Sequence, residues 1–69
     1  MEVKTIIRFT GHNGTVLEAP GSTRRFGQAA AAKSDYAKIE LVDKFKMTDG
    51  TTGERVRAVA TPNAIYTPD

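Results

Sequence analysis

Val3-Lys4-Thr5-Ile6-Ile7-Arg8-Phe9-Thr10-Gly11-His12-Asn13-Gly14-Thr15-Val16-Leu17-Glu18-Ala19 alternates, turns and alternates again. Val3, Thr5, Ile7 and Phe9 interleave with Lys4, Ile6, Arg8 and Thr10, the period of two that a half-buried strand requires. Asn-Gly is the strongest short hairpin signal, because both residues tolerate positive φ. A three-residue loop, His12-Asn13-Gly14 with Gly14 left-handed, sets Phe9 opposite Leu17, Ile7 opposite Ala19 and Arg8 opposite Glu18. A two-residue loop pairs Phe9 with Val16 or Glu18 and mixes a charge into the apolar face. Slipping one residue inverts every side chain, so the three-residue loop is the consistent reading.

Downstream, Pro20-Gly21 ends the strand and Ser22 or Thr23 offers a helix N-cap. Alanine is the best helix former, which predicts helix over 28–33 despite Gly27. Phe26, Ala29, Ala30 and Lys33 then share one face, small enough for close approach to a sheet. From Tyr36 alternation returns. Ala37, Ile39, Leu41, Phe45 and Met47 share one parity, broken only by Asp43, which marks a bulge or kink. A continuous helix over 24–46 competes, but it leaves Ile39 and Val42 off the apolar stripe. Thr48-Asp49-Gly50-Thr51-Thr52-Gly53 is turn chemistry, and 54–60 reads as a last strand with Val56, Ala58 and Ala60 inward. The fold predicted is α+β: a single ββαββ domain over 1–60, one helix on one face of a small antiparallel sheet. Residues 61–69, with two prolines, read as an extended C-terminal tail, with its Ile65 and Tyr66 tucked back onto the body.

The chain has 69 residues, ten Lys plus Arg against eight Asp plus Glu, one His and no Cys or Trp. One small core is all that this length permits. Without cysteine there is neither a disulfide framework nor a thiolate zinc site, and the composition suits a reducing, cytoplasmic setting. No apolar run is long enough for a transmembrane helix, and the charged, alternating first ten residues do not read as a signal peptide. The net charge of +2 is unevenly spread. Residues 1–34 hold five Lys or Arg against two acids, and 35–69 hold five against six.

A single helix covers a single sheet face. If Met47 lies opposite Val56 and Phe45 opposite Ala58, the open face carries Lys44, Lys46, Arg55 and Arg57, with Lys46 directly against Arg57. Like charges opposed in a sheet are unfavourable, so either the register differs from this one or an anionic ligand supplies the negative charge; the other reading is a solvated surface whose side chains splay apart. Arg24 and Arg25 fall in the first helical turn, where the helix dipole favours acids. There they either bind an anionic group at the helix start or simply reach water.

No catalytic constellation is present. His12 is a lone loop histidine without a spaced nucleophile or carboxylate. The glycine pairs lack the Lys-Ser/Thr ending of a phosphate loop, and Asp35, Asp43 and Asp49 lack calcium-loop spacing. Asn13-Gly14-Thr15 matches a glycosylation sequon by chance alone. Only Tyr36 and Tyr66 lie outside the core parity as stacking platforms.

The element order resembles that of small bacteriophage-encoded proteins that bind and inhibit a host protein, a likeness of style that transfers no residue. It implies an inhibitor or regulator. The expectation is therefore a non-enzymatic protein-binding module, without cofactor, metal, membrane or small-molecule substrate. It would dock through a sheet edge or the open face on a partner with an acidic patch, or on itself as a homodimer. The alternative is a nucleic-acid binder using the basic ribbon and the Arg24/Arg25 helix start. Both assign binding to Arg24, Arg25, Lys44, Lys46, Arg55 and Arg57.

Overall fold

The computed structural model describes residues 1–68. Its elements run β1 (Glu2–Thr10), β2 (Val16–Pro20), α1 (Thr23–Ala30), a 3-10 turn (Lys33–Asp35), β3 (Lys38–Lys46), β4 (Thr52–Thr61) and β5 (Ala64–Tyr66). All five strands join one antiparallel sheet in the order β2-β1-β3-β4-β5. The α+β fold with one helix on a small antiparallel sheet is as predicted, with a fifth strand added. Since β2 and β3 both run antiparallel to β1, they run parallel to each other with β1 between them. Their connection must therefore cross the face of β1, and α1 is what crosses it.

The β1–β2 hairpin has the predicted register: Phe9 faces Leu17, Arg8 faces Glu18 and Ile7 faces Ala19. Gly14 takes φ 87°, and the Gly11 N–H donates to the Thr15 carbonyl at 2.8 Å, closing the three-residue loop. Gly21 then passes directly over Ile7. A Cβ on Gly21 would stand 2.4 Å from Ile7 Cγ1, so only glycine lets the chain turn here toward the helix.

Ser22 is the N-cap, its Oγ accepting the Arg25 N–H at 3.2 Å. Helix through residue 33 is not what forms. The α-helix ends at Ala30, and the 3-10 turn follows. The chain must return to the sheet at once, because the Ala37 N–H already bonds the Thr10 carbonyl at 2.8 Å. Alanine's propensity, a few tenths of a kcal/mol per residue, yields to that tertiary bond. Phe26 and Ala30 are buried against Ile7, Ile39, Leu41 and Ala60, with Phe9 and Tyr36 in tilted ring contact at the margin, centroids 5.1 Å apart.

The β3–β4 register expected from the sequence is overturned, and the C-terminal segment turns out to be more ordered than a tail. The β3–β4 turn is as tight as the first: the Met47 N–H bonds the Thr51 carbonyl at 2.7 Å, and Gly50 takes φ 90°. Thr52 and Gly53 therefore belong to β4, and Phe45 faces Gly53, Lys46 faces Thr52 and Lys44 faces Glu54. Met47 does not oppose Val56, nor Lys46 Arg57. The irregularity assigned to Asp43 lies across the ladder, where Leu41 faces Ala58 but Val42 faces Val56, leaving Arg57 as the extra residue of a bulge. Part of the predicted tail is also a strand: β5 pairs Ala64 with Thr61, Ile65 with Ala60 and Tyr66 with Val59.

Candidate docking surface

The sheet face away from α1 buries Ile6, Val42 and Val59 without a second layer of structure. Its cover is made of charged side chains. Arg8 Nε donates to Glu18 Oε2 at 2.9 Å and Arg8 Nη2 to Glu54 Oε2 at 2.6 Å. Lys44 Nζ donates to Glu18 Oε1 at 2.7 Å and stands 3.7 Å from Glu54 Oε2. The four residues close a ring that draws one member from each of β2, β1, β3 and β4. In register terms Ile6, Val42 and Val56 form the row between the Arg8 and Lys44 rows, so the ring spans it. Arginine and lysine stems can lie along apolar surface while their heads remain hydrated. Glu40, itself buried, joins the edge of the ring 3.9 Å from Arg8 and 3.8 Å from Lys38. Hydrogen bonds from Lys44 and then Arg8 hold the Glu18 carboxyl below its ordinary range, and the bond to Glu18 raises the Arg8 pKa.

Consequently the open face is not a uniform basic ribbon. Lys44 belongs to the ring, while Arg55 stands in register with Asp43 on the opposite parity from Lys44. Arg57 Nη1 lies 3.6 Å from Asp43 Oδ1, whose partner on β1 is the Thr5 hydroxyl at 2.7 Å. Among the described residues, Arg24, Arg25, Lys46 and Arg55 are exposed and enter no ion pair.

What the fold does bring together is one end of the sheet. The Gly21 N–H bonds the Thr5 carbonyl at 3.1 Å, which seats the helix start beside the first half of β1. β1 begins where β3 ends and β4 begins. This end gathers Lys4, Arg24, Arg25, Lys44, Lys46, Arg55 and Arg57 with Glu2, Asp43, Asp49 and Glu54. The other half balances Arg8, Lys33 and Lys38 against Glu18, Asp35 and Glu40. Of the six residues nominated from the sequence, Lys44 and Lys46 lie on the open face of this end, Arg55 has the opposite parity, Arg57 sits at the bulge, and Arg24 and Arg25 lie in the first turn of α1 on the covered side of the sheet.

Lys4 was not among them. It faces Lys44 directly across β1 and β3, so the like-charge opposition expected between Lys46 and Arg57 exists, but at a different pair. The alternation of Lys4 with Ile6 and Arg8 placed it on that face; only the β1–β3 pairing names its neighbour. The same end exposes Met1 (73%), Val3 (56%) and Met47 (44%). Val3 lies in a row with Phe45 and Gly53 that α1 is too short to cover, and the Phe45 ring occupies the space a side chain on residue 53 would need, with ring atoms 2.6 Å from the Cβ position.

Both sheet edges are open. In β2 the inward bonds fall at Thr15 and Gly21, so by alternation Val16, Glu18 and Pro20 turn their backbone outward. Pro20 has no N–H to offer there, which blunts that edge. Of the two tyrosines, Tyr36 packs on Phe9, and Tyr66 is exposed on β5. His12 Nε2 lies 3.1 Å from the Ser34 carbonyl, tying the first turn to the 3-10 segment. No helix among the described residues is long and apolar enough to cross a membrane. No family model matches the chain, and neither a curated protein nor a solved structure matches it.

Proposed function

We propose that this chain is a non-enzymatic protein-binding module that docks through the cationic end of its sheet onto a partner with an acidic and partly apolar patch. The observation that carries this reading is that one end of the sheet exposes Val3 and Met47 with Arg55 on one parity and Lys46 on the other, neither cation being ion-paired among the described residues. Exposed apolar side chains rimmed by charge suit a protein interface, where apolar groups fill the centre and charges steer and orient. A nucleic-acid backbone would engage the cations but leave Val3 and Met47 without partners, and Tyr66 offers a single stacking surface. Two copies meeting end to end would set cation against cation, which disfavours self-association through this surface. A module of this kind acts by occupying its partner's surface, as inhibitors and regulators do.

Selection from a displayed dodecapeptide library tests the reading. Enrichment of Asp and Glu interleaved with aliphatic or aromatic residues is expected. The selected peptides should bind at least about tenfold more weakly to the K4E/K46E and V3S/M47Q double variants, a change of about 1.4 kcal/mol each. Binding that ignores both variants, or peptides without acids, would overturn it. So would tighter binding to an oligonucleotide that weakens steeply with salt, which is the signature of phosphate contacts.

A further inference from the structure

Lys4 and Lys44 stand directly opposed on the same face of adjacent strands, and Lys46 follows Lys44 by two residues on that face. Opposed side chains in such a pair start from Cβ atoms only about 4.5–5.5 Å apart, and like charges there are destabilising. The neighbouring carboxylates relieve only one of the three ammoniums. Glu18 and Glu54 both reach Lys44, and both are shared with Arg8. Lys4 and Lys46 have no carboxylate at ion-pair distance among the described residues; Glu2 opposes Lys46 in register without closing on it. Between them lies an open cavity of about 550 Å3, lined by these three lysines, Glu2, Glu54, Thr52, Phe45 and Gly53.

We infer that this cavity is a binding site for a phosphate-type oxyanion, with the free oligophosphate pyrophosphate as its simplest representative. Each ammonium carries three rotatable donors, so a many-oxygened anion satisfies Lys4 and Lys46 together and relieves the Lys4–Lys44 repulsion. The Thr52 hydroxyl adds a neutral donor at the rim. The cavity's volume falls within the range of small-ligand sites. This inference does not rest on the docking reading; a protein carboxylate is the competing source of negative charge at the same lysines.

The test is an amide-resolved NMR titration of the whole chain at constant ionic strength, with pyrophosphate in one arm and hexaglutamate in the other. Saturable pyrophosphate shifts confined to residues 2–5, 44–46 and 52–54 are expected. Affinity should fall at least about tenfold in K4A/K46A and stay within about twofold in K33A/K38A, which removes the same charge from the opposite half. All four side chains are exposed or half-exposed, and the amide spectrum reports whether each variant is folded. Shifts that never saturate, that follow every cation alike, or that are equal in the two double variants would overturn the site. So would shifts with hexaglutamate and none with pyrophosphate, an outcome that leaves the docking reading standing. Pyrophosphate binding without any selected peptide would do the reverse.

Discussion

Arg8 and Glu54 lie 46 residues apart in the chain and two strands apart in the sheet, yet the guanidinium Nη2 meets the carboxylate at 2.6 Å. Their bond runs diagonally over β3 and closes the ring that covers Ile6 and Val42. A surface ion pair is worth little when both partners are free in water. This one differs because the Arg8 side chain is only 19% exposed, makes two charge-assisted bonds and roofs apolar residues.

Replacing Arg8 by alanine should therefore cost about 2 kcal/mol, in the range for hydrogen bonds to charged groups. A Lys33→Ala control on the balanced half should stay within about 0.5 kcal/mol. Urea denaturation of the two variants measures both values, and a mild effect for Arg8→Ala would show that the ring does not hold the face closed.

Acid should open the ring through Glu18. Its folded pKa lies below the ordinary value of 4.5, chiefly because Lys44 and then Arg8 donate to the ionised form. The group's contribution is thus fully present above about pH 4.5 and disappears as pH falls through the lowered folded value. Glu18→Gln should be less stable than the parent at neutral pH, and the gap should close in acid. Melting temperature against pH for both proteins checks the sign.

The two hairpin turns should be interchangeable. Asn13 Oδ1 and Asp49 Oδ1 each accept the N–H of the threonine two residues on at 3.0 Å, and each is followed by a glycine at positive φ. Gly14→Ala and Gly50→Ala should each cost about 1–2 kcal/mol, the penalty of left-handed backbone for a residue with a Cβ. Asn13→Asp should change stability by less than about 0.5 kcal/mol. Thermal unfolding of the three single variants gives the comparison.

Gly21 should be far less tolerant than Gly27, although both flank or lie within the helix. A Cβ on Gly21 meets Ile7 Cγ1 at 2.4 Å and the Ile7 backbone N at 3.3 Å, whereas a Cβ on Gly27 meets nothing within 4 Å. Gly21→Ala should destabilise by about 1–3 kcal/mol through overpacking. Gly27→Ala should stabilise by up to about 1 kcal/mol through helix propensity. Opposite signs in chemical denaturation are the expected result.

The first hairpin was legible because its two strands are joined by a turn whose residues admit one conformation. The second carried the same signal, Asp-Gly-Thr answering Asn-Gly-Thr, and reading the two turns alike places Thr52 and Gly53 in β4. Treating 48–53 as one long turn shifted the ladder and with it the supposed basic ribbon. The short helix was harder to foresee, since four alanines favour continuing, whereas the Ala37–Thr10 bond draws the chain back to the sheet.

By itself the amino-acid order determined the first four strands and the helix as element types, the β1–β2 register, an N-cap at Ser22 or Thr23, and the apolar stripe of Phe26 and Ala30. These depend on neighbours a few residues away, where turn geometry and side-chain periodicity act directly. Tertiary structure decided which strands lie side by side, and so made Lys4 the neighbour of Lys44 and Arg8 the partner of Glu54. Those pairings join residues about 40 positions apart. They follow from closing Ile7, Ile39, Leu41 and Ala60 over one short helix, which ranks strand orders by buried area and not by any local signal. The basic ribbon expected from the sequence became a cationic end of different composition because the core, not the charges, set the register.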